Sequence, residues 1–198
     1  GVMYKVLSEA NDGQKGTVQI GNGETLATDA NGSLSIPANV DRDGKNYTVV
    51  SVAPNAFRNS KLTSVTLPEG IKTIGKSAFR GAQLTSFVMP STVEQIDEAS
   101  FCMADKLMNI TLSPKLKVIP KDAFSYSGLR TVDLPDGITE IGEMAFSSCS
   151  DLQKVNLPAS LTMIKEQAFW SDEALREVVI PVGSKLKSVG TIAFQWCN

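Results

Sequence analysis

Along this chain, apolar and polar residues alternate over short stretches, then spread to a wider spacing, and the same order of spacings keeps returning. Over residues 62–79, LTSVTLPEGIKTIGKSAF, Val65 and Leu67 alternate with Ser64 and Thr66; a proline follows, then Ile71, Ile74, Ala78 and Phe79. Nearly the same phrase recurs as LRTVDLPDGITEIGEMAF at 129–146 and LQKVNLPASLTMIKEQAF at 152–169. The alternation predicts a strand with one face inward. Pro68, matched by Pro90, Pro135, Pro158 and Pro181, lacks an N–H and fixes φ, so it ends the ladder and turns the chain. One unit carries Ser113-Pro114 instead, with the proline moved by one place.

Alignment on the closing Ala-Phe divides the chain into 62–83, 84–106, 107–128, 129–151, 152–174 and 175–198, most units being 22 or 23 residues long. An irregular earlier unit matches Leu34, Ile36 and Pro37 to the strand, and Val49, Val52 and Phe57 to the later apolar positions. That period predicts a leucine-rich-repeat solenoid. No unit folds alone, because ordering its backbone costs more than its few apolar side chains return. Stacking at about 4.8 Å per coil pairs the strands and lets each Phe close the core of the next coil, giving a rod roughly 30 Å long. In the second half of a unit, Ile71, Ile74, Ala78 and Phe79 also suit a helix. The equivalents of Gly75 are Asp97, Pro120, Gly142, Lys165 and Gly190, which argue against a helix interior and for a helix start. The prediction is an extended Ile-x-x-Ile segment, then about one helical turn ending at the Phe.

The first 33 residues lack the repeat. YKVL and TVQI flank a Gly-rich turn there, predicting an N-terminal β-hairpin cap over 1–33 that covers the first edge, with the solenoid running from 34 to 198. NVDRDGKNYTV, inside the first unit, predicts a second hairpin around Asp43-Gly44. At the other end AFQWCN carries no capping sequence, so that face either meets further chain or pairs with something.

Composition narrows the chemistry. There are no histidines, which removes Ser-His-Asp and Cys-His nucleophile pairs and histidine-ligated zinc. The formal charge is -2 with no basic run, so the footprint of a nucleic-acid binder is missing. No apolar stretch reaches the length of a membrane span, and no signal peptide is legible. Three cysteines, with Cys149 and Cys197 two coils apart, imply no disulfide framework, and buried thiols are the expectation. Asn39, Asp41, Asp43 and Gly44 are spaced like half of an EF-hand loop, but Val50 stands where its closing Glu belongs, so a polar hairpin turn is the better reading. No paired carboxylates of a glycosidase and no phosphate-binding loop are recognisable. No catalytic residue, metal or cofactor is expected.

The phrase L-x-x-V-x-L-P-x-x-I-x-x-I-G-x-x-A-F-x-x-C resembles the BspA-like leucine-rich-repeat family, and LRTVDLPDGITEIGEMAFSSCSDL (129–152) carries nearly every position, Cys149 included. The resemblance runs from 34 to 198. It implies a bacterial surface or secreted protein concerned with adhesion or host interaction, and it brings no catalytic residue. The family's late Cys is Ser60, Ala82, Ala104, Ser127 and Asp172 in other units.

Two surfaces are candidates for partner binding. One is the ladder of outward strand positions, where Asn109, Thr111, Thr131, Asp133, Lys154, Asn156 and Glu177 bring polarity and charge. Such a face is the default binding surface of a leucine-rich repeat, although a solvated Ser/Thr ladder that merely supports the sheet fits the same residues. The other lies just beyond each Phe, where Tyr126, Trp170 and Trp196 stand. Exposed, they would anchor a protein or glycan; tucked over the adjacent coil, they would only pack. The combined expectation is a non-enzymatic binding module for a macromolecule, protein before glycan. The competing expectation is a spacer or assembly unit within a longer surface protein.

Overall fold

The structure is a computed structural model and describes residues 1–11 and 13–198. Two hairpins start it. Strand β1 (Tyr4–Ser8) runs antiparallel to β2 (Gly16–Ile20), with Val6 opposite Val18. After β3 (Asn31–Ser35), strand β4 (Asn39–Arg42) turns back into β5 (Lys45–Val52). Asp43 and Gly44 both have positive φ, 55° and 72°, as a two-residue hairpin turn requires. Asp41 Oδ1 accepts the Gly44 N–H at 3.2 Å, so the EF-hand-like stretch is a hairpin turn.

Each following coil contributes one strand to each of two faces: β6 (Lys61–Thr66) and β7 (Thr73–Ile74), β8 (Ser86–Val88) and β9 (Gln95–Ile96), β10 (Asn109–Thr111) and β11 (Val118–Ile119). Strands β12 (Thr131–Asp133) and β13 (Glu140–Ile141), β14 (Lys154–Asn156) and β15 (Met163–Ile164), and β16 (Glu177–Val179) and β17 (Ser188–Val189) complete the stack. On the first face β3 pairs with β6, β8 with β10, β12 with β14, and β14 with β16, all parallel. On the second face β2, β5, β7 and β9 form one parallel run and β11, β13, β15 and β17 another. The gap between those runs falls at Pro120. Its equivalents Gly75, Asp97 and Gly142 each donate their N–H to the preceding coil, at 2.9, 2.9 and 2.7 Å, and proline has none to give.

The inward residues form continuous columns. Val65, Leu67, Ile71, Ile74, Ala78 and Phe79 are all buried, as are their counterparts through most of the coils. Phe57, Phe79, Phe101, Phe124, Phe146, Phe169 and Phe194 stack in one file, neighbouring centroids 5.0–5.5 Å apart and planes within 3–15° of parallel. Coil spacing and aromatic spacing are therefore one dimension, which is why the Phe recurs so strictly.

The arc leading to each Phe is not a helical turn. In the second coil the N–H groups of Ala78, Arg80 and Ala82 donate back to Gly75, Ser77 and Phe79, each at 3.1 Å. Those of Ser77, Phe79 and Gly81 instead donate to Glu98, Ser100 and Cys102 of the next coil at 3.1, 2.7 and 2.9 Å. A helix would send each of them four residues back within its own coil. Tight turns with two left-handed residues per coil, such as Ser77 (φ 55°) and Gly81 (φ 64°), free alternate donors for the neighbour. Gly75 recurs for contact rather than for helix initiation, since a Cβ there would lie 2.6 Å from Pro54 N.

Candidate functional site

Strand pairing brings the predicted polar residues into two adjacent columns. Asn109 lies beside Ser86, and Thr111 beside Val88. Thr131, Lys154 and Glu177 share one row of register, and Asp133, Asn156 and Val179 the next. Lys154 Nζ is 2.9 Å from Glu177 Oε1, and Asn156 Nδ2 donates to Asp133 Oδ1. Asn109, Thr111, Thr131, Asp133 and Glu177 are exposed, while Lys154 and Asn156 are half-buried by these contacts. Val88, 69% exposed, is an apolar island in this polar sheet. The face is a self-bonded polar ladder whose charge gathers over β12, β14 and β16.

The three aromatics lie on a different part of each coil. Tyr126 and Trp196 occupy the second position after the Phe and are 53% and 66% exposed; Trp170 occupies the first and is half-buried. Tyr126 and Trp196 adopt φ of 57° and 65°, a left-handed conformation that bulky side chains rarely take. Other coils place Asn59, Gly81, Ser148 and Ser171 there. Met103 (φ 58°), which was not anticipated, completes the set, and its place in that column was the available signal. Tyr126 and Met103 line a cleft of about 350 Å³ whose wall includes Asp105 and Asp151. Trp170 and Trp196 line another of about 520 Å³, with Glu173 and Asn198. The Trp cleft and the Tyr cleft are separate, and neither is lined by the strand ladder.

Beneath the Trp cleft runs the late-Cys column. Cys149 is buried, its Sγ donating to Phe124 O at 3.1 Å and lying 3.3 Å from Ser127 Oγ. Cys197 Sγ donates likewise to Phe169 O at 3.0 Å. Asp172 stands between them, fully buried, with the Cys149 N–H on Oδ1 at 2.8 Å and, among the described residues, no partner for Oδ2. Burial pushes its carboxyl up to about 8, with the Cys149 N–H pulling the other way. Burial also raises all three thiols, so they lack the lowered pKa of a nucleophilic cysteine. Among the described residues, no three His, Cys, Asp or Glu side chains are placed to hold a metal ion. No described helix is long and apolar enough to cross a membrane.

With this geometry the chain is a leucine-rich-repeat protein. A family model of the BspA type leucine rich repeat region matches it in six copies over residues 45–135 and 72–198, and the chain belongs to that family. Its structure is similar to a T. pallidum leucine rich repeat protein at TM-score 0.78 and 27% identity, over 96% of this chain and 83% of that one. It is similar too to a leucine-rich repeat protein from Eubacterium ventriosum ATCC 27560 at TM-score 0.75 and 23% identity, over 91% of this chain. The chain spans 48% of that second protein. No curated protein matches the chain.

Proposed function

We propose that the chain is a non-enzymatic binding module of a bacterial surface or secreted protein, acting in adhesion or host interaction. The observation that carries this reading is the charged half of the strand ladder, where Asp133, Lys154, Asn156 and Glu177 stand in register on a rigid sheet. Side chains already held by one another lose little further freedom on contact, so a partner meets a preorganised surface. Tyr126, Trp170 and Trp196 supply the large, rigid groups that anchor interfaces. Membership of the leucine-rich-repeat class supports protein as the partner before glycan.

The test is a binding screen of the purified chain against extracellular-matrix proteins and a glycan array, with Lys154→Glu, Asp133→Lys and Glu177→Lys alongside. Saturable binding that the variants lose at unchanged stability supports the reading; binding that survives all three removes the strand face from it.

One observation favours a spacer or assembly unit instead. Ile180, Val182 and Val189 are exposed, an apolar surface that a second copy of the chain would cover. Concentration-dependent association in light scattering, abolished by Val182→Asp, would support that alternative.

A further inference from the structure

The post-Phe edge of the solenoid divides by charge. Over the first two coils it carries Arg58, Lys61 and Arg80; from the third coil on it carries Asp105, Lys106, Asp151, Asp172 and Glu173, with Lys106 paired to Asp105. The large exposed side chains Met103, Tyr126 and Trp196 all fall in the acidic half. We propose that this half, from Met103 to Asn198, docks an extended Arg/Lys-bearing polypeptide segment. The inference rests on the chain being a macromolecular binding module and assigns one partner chemistry to a surface separate from the strand ladder.

Three features meet there. The three bulky residues sit in left-handed backbone at 58°, 57° and 65°, where Asn, Gly or Ser serves the fold elsewhere. Each cleft joins an aromatic face to a carboxylate: Tyr126 with Asp151, and Trp196 with Glu173. An ammonium or guanidinium group is attracted by both, to the ring face and to the charge. Asp105 has Lys106 at 3.3 Å, but among the described residues neither Asp151 nor Glu173 is in an ion pair. A neutral sugar would use the rings but leave the carboxylates without cations.

The length fits as well. From the third coil to the seventh the edge runs about 20 Å at roughly 5 Å per coil, the span of about six extended residues. The partner segment would place cationic side chains two coils apart or more, over the Tyr and Trp clefts in turn.

The chain's two tryptophans both line one of these clefts, so intrinsic fluorescence reads it directly. Hexa-arginine, hexa-lysine, hexa-glutamate and a neutral glucose hexasaccharide are titrated into the protein at low and high salt. The expected result is a saturable change with the two cationic peptides, weakened by salt, and weakened about tenfold or more by Asp151→Lys with Glu173→Lys in a folded variant. A response only to the hexasaccharide overturns the proposal in favour of a glycan site. Cationic binding that ignores the edge variant but is lost in Asp133→Lys with Glu177→Lys also overturns it, while keeping the binding module and placing its site on the strand ladder. Silence with every probe overturns it too.

Discussion

Cys149 donates its N–H to Asp172 Oδ1 at 2.8 Å across one coil, and the second oxygen of that carboxyl is buried with no hydrogen-bond partner among the described residues. Equivalent positions hold Ser60, Ala82, Ala104, Ser127, Cys149 and Cys197, all small or soft. An ionised carboxylate is costly in such a column, and burial holds the group protonated up to about pH 8.

A pH dependence of stability follows. The folded-state pKa of Asp172 lies above its unfolded value of 3.8, so between those values the native state binds more protons than the unfolded one. Stability is fully present below about pH 4, falls as pH rises toward 8 and levels off above it. At about 1.4 kcal/mol per unit the loss amounts to a few kcal/mol. The neighbouring Cys149 and Cys197 thiols, raised by burial, stay protonated over this window. Urea melts at pH 5 and pH 8 should show the decline in the parent chain, and Asp172→Asn should flatten it.

Ser100 occupies a column otherwise filled by Ala56, Ala78, Ala123, Ala145, Ala168 and Ala193, and among the described residues its buried hydroxyl has no hydrogen-bond partner. Ser100→Ala is expected to stabilise the fold by about 1 kcal/mol, read from the urea midpoint at constant m-value.

Removing one ring from the phenylalanine file should do the opposite. Phe124 is fully buried, 5.5 and 5.2 Å from Phe101 and Phe146. Phe124→Ala leaves a cavity reaching both neighbours, and a loss of about 3–5 kcal/mol is expected in the same melts.

Tyr126 offers a sharper distinction, because fold and function predict different results there. If the ring served packing, its loss would destabilise the chain. Its exposure and its φ of 57° instead predict that Tyr126→Gly is neutral, or more stable by about 1 kcal/mol, in thermal melts. The same variant should weaken any partner that uses the Tyr cleft.

These sites differ in how legible they were. The strand ladder follows from a period of two in the sequence, so Val65, Leu67 and the outward Asn109 to Glu177 could be placed before any coordinates. The arc before each Phe could not. Ile71, Ile74, Ala78 and Phe79 fit a helix and an extended turn equally, and the choice rests on N–H groups such as that of Phe79, which reaches Ser100 in the next coil at 2.7 Å. A local pattern does not record that bond. Left-handed backbone at Tyr126 and Trp196 was hidden for the same reason, although Asn59 and Gly81 in that column hinted at it. Asp172 was visible as an acid at a cysteine position, but its burial was not.

Whether the charged strand ladder receives a macromolecule can be read by exchanging one ion pair. Lys154→Glu with Glu177→Lys keeps the net charge and lets the bridge at 2.9 Å reform in reverse, so stability should stay within about 0.5 kcal/mol. Affinity for a partner found in the screen would then be measured by titration calorimetry on parent and exchanged chains. A loss of about tenfold or more with an unchanged melting temperature is expected if the ladder is the binding face. Equal affinities in the two chains would contradict it.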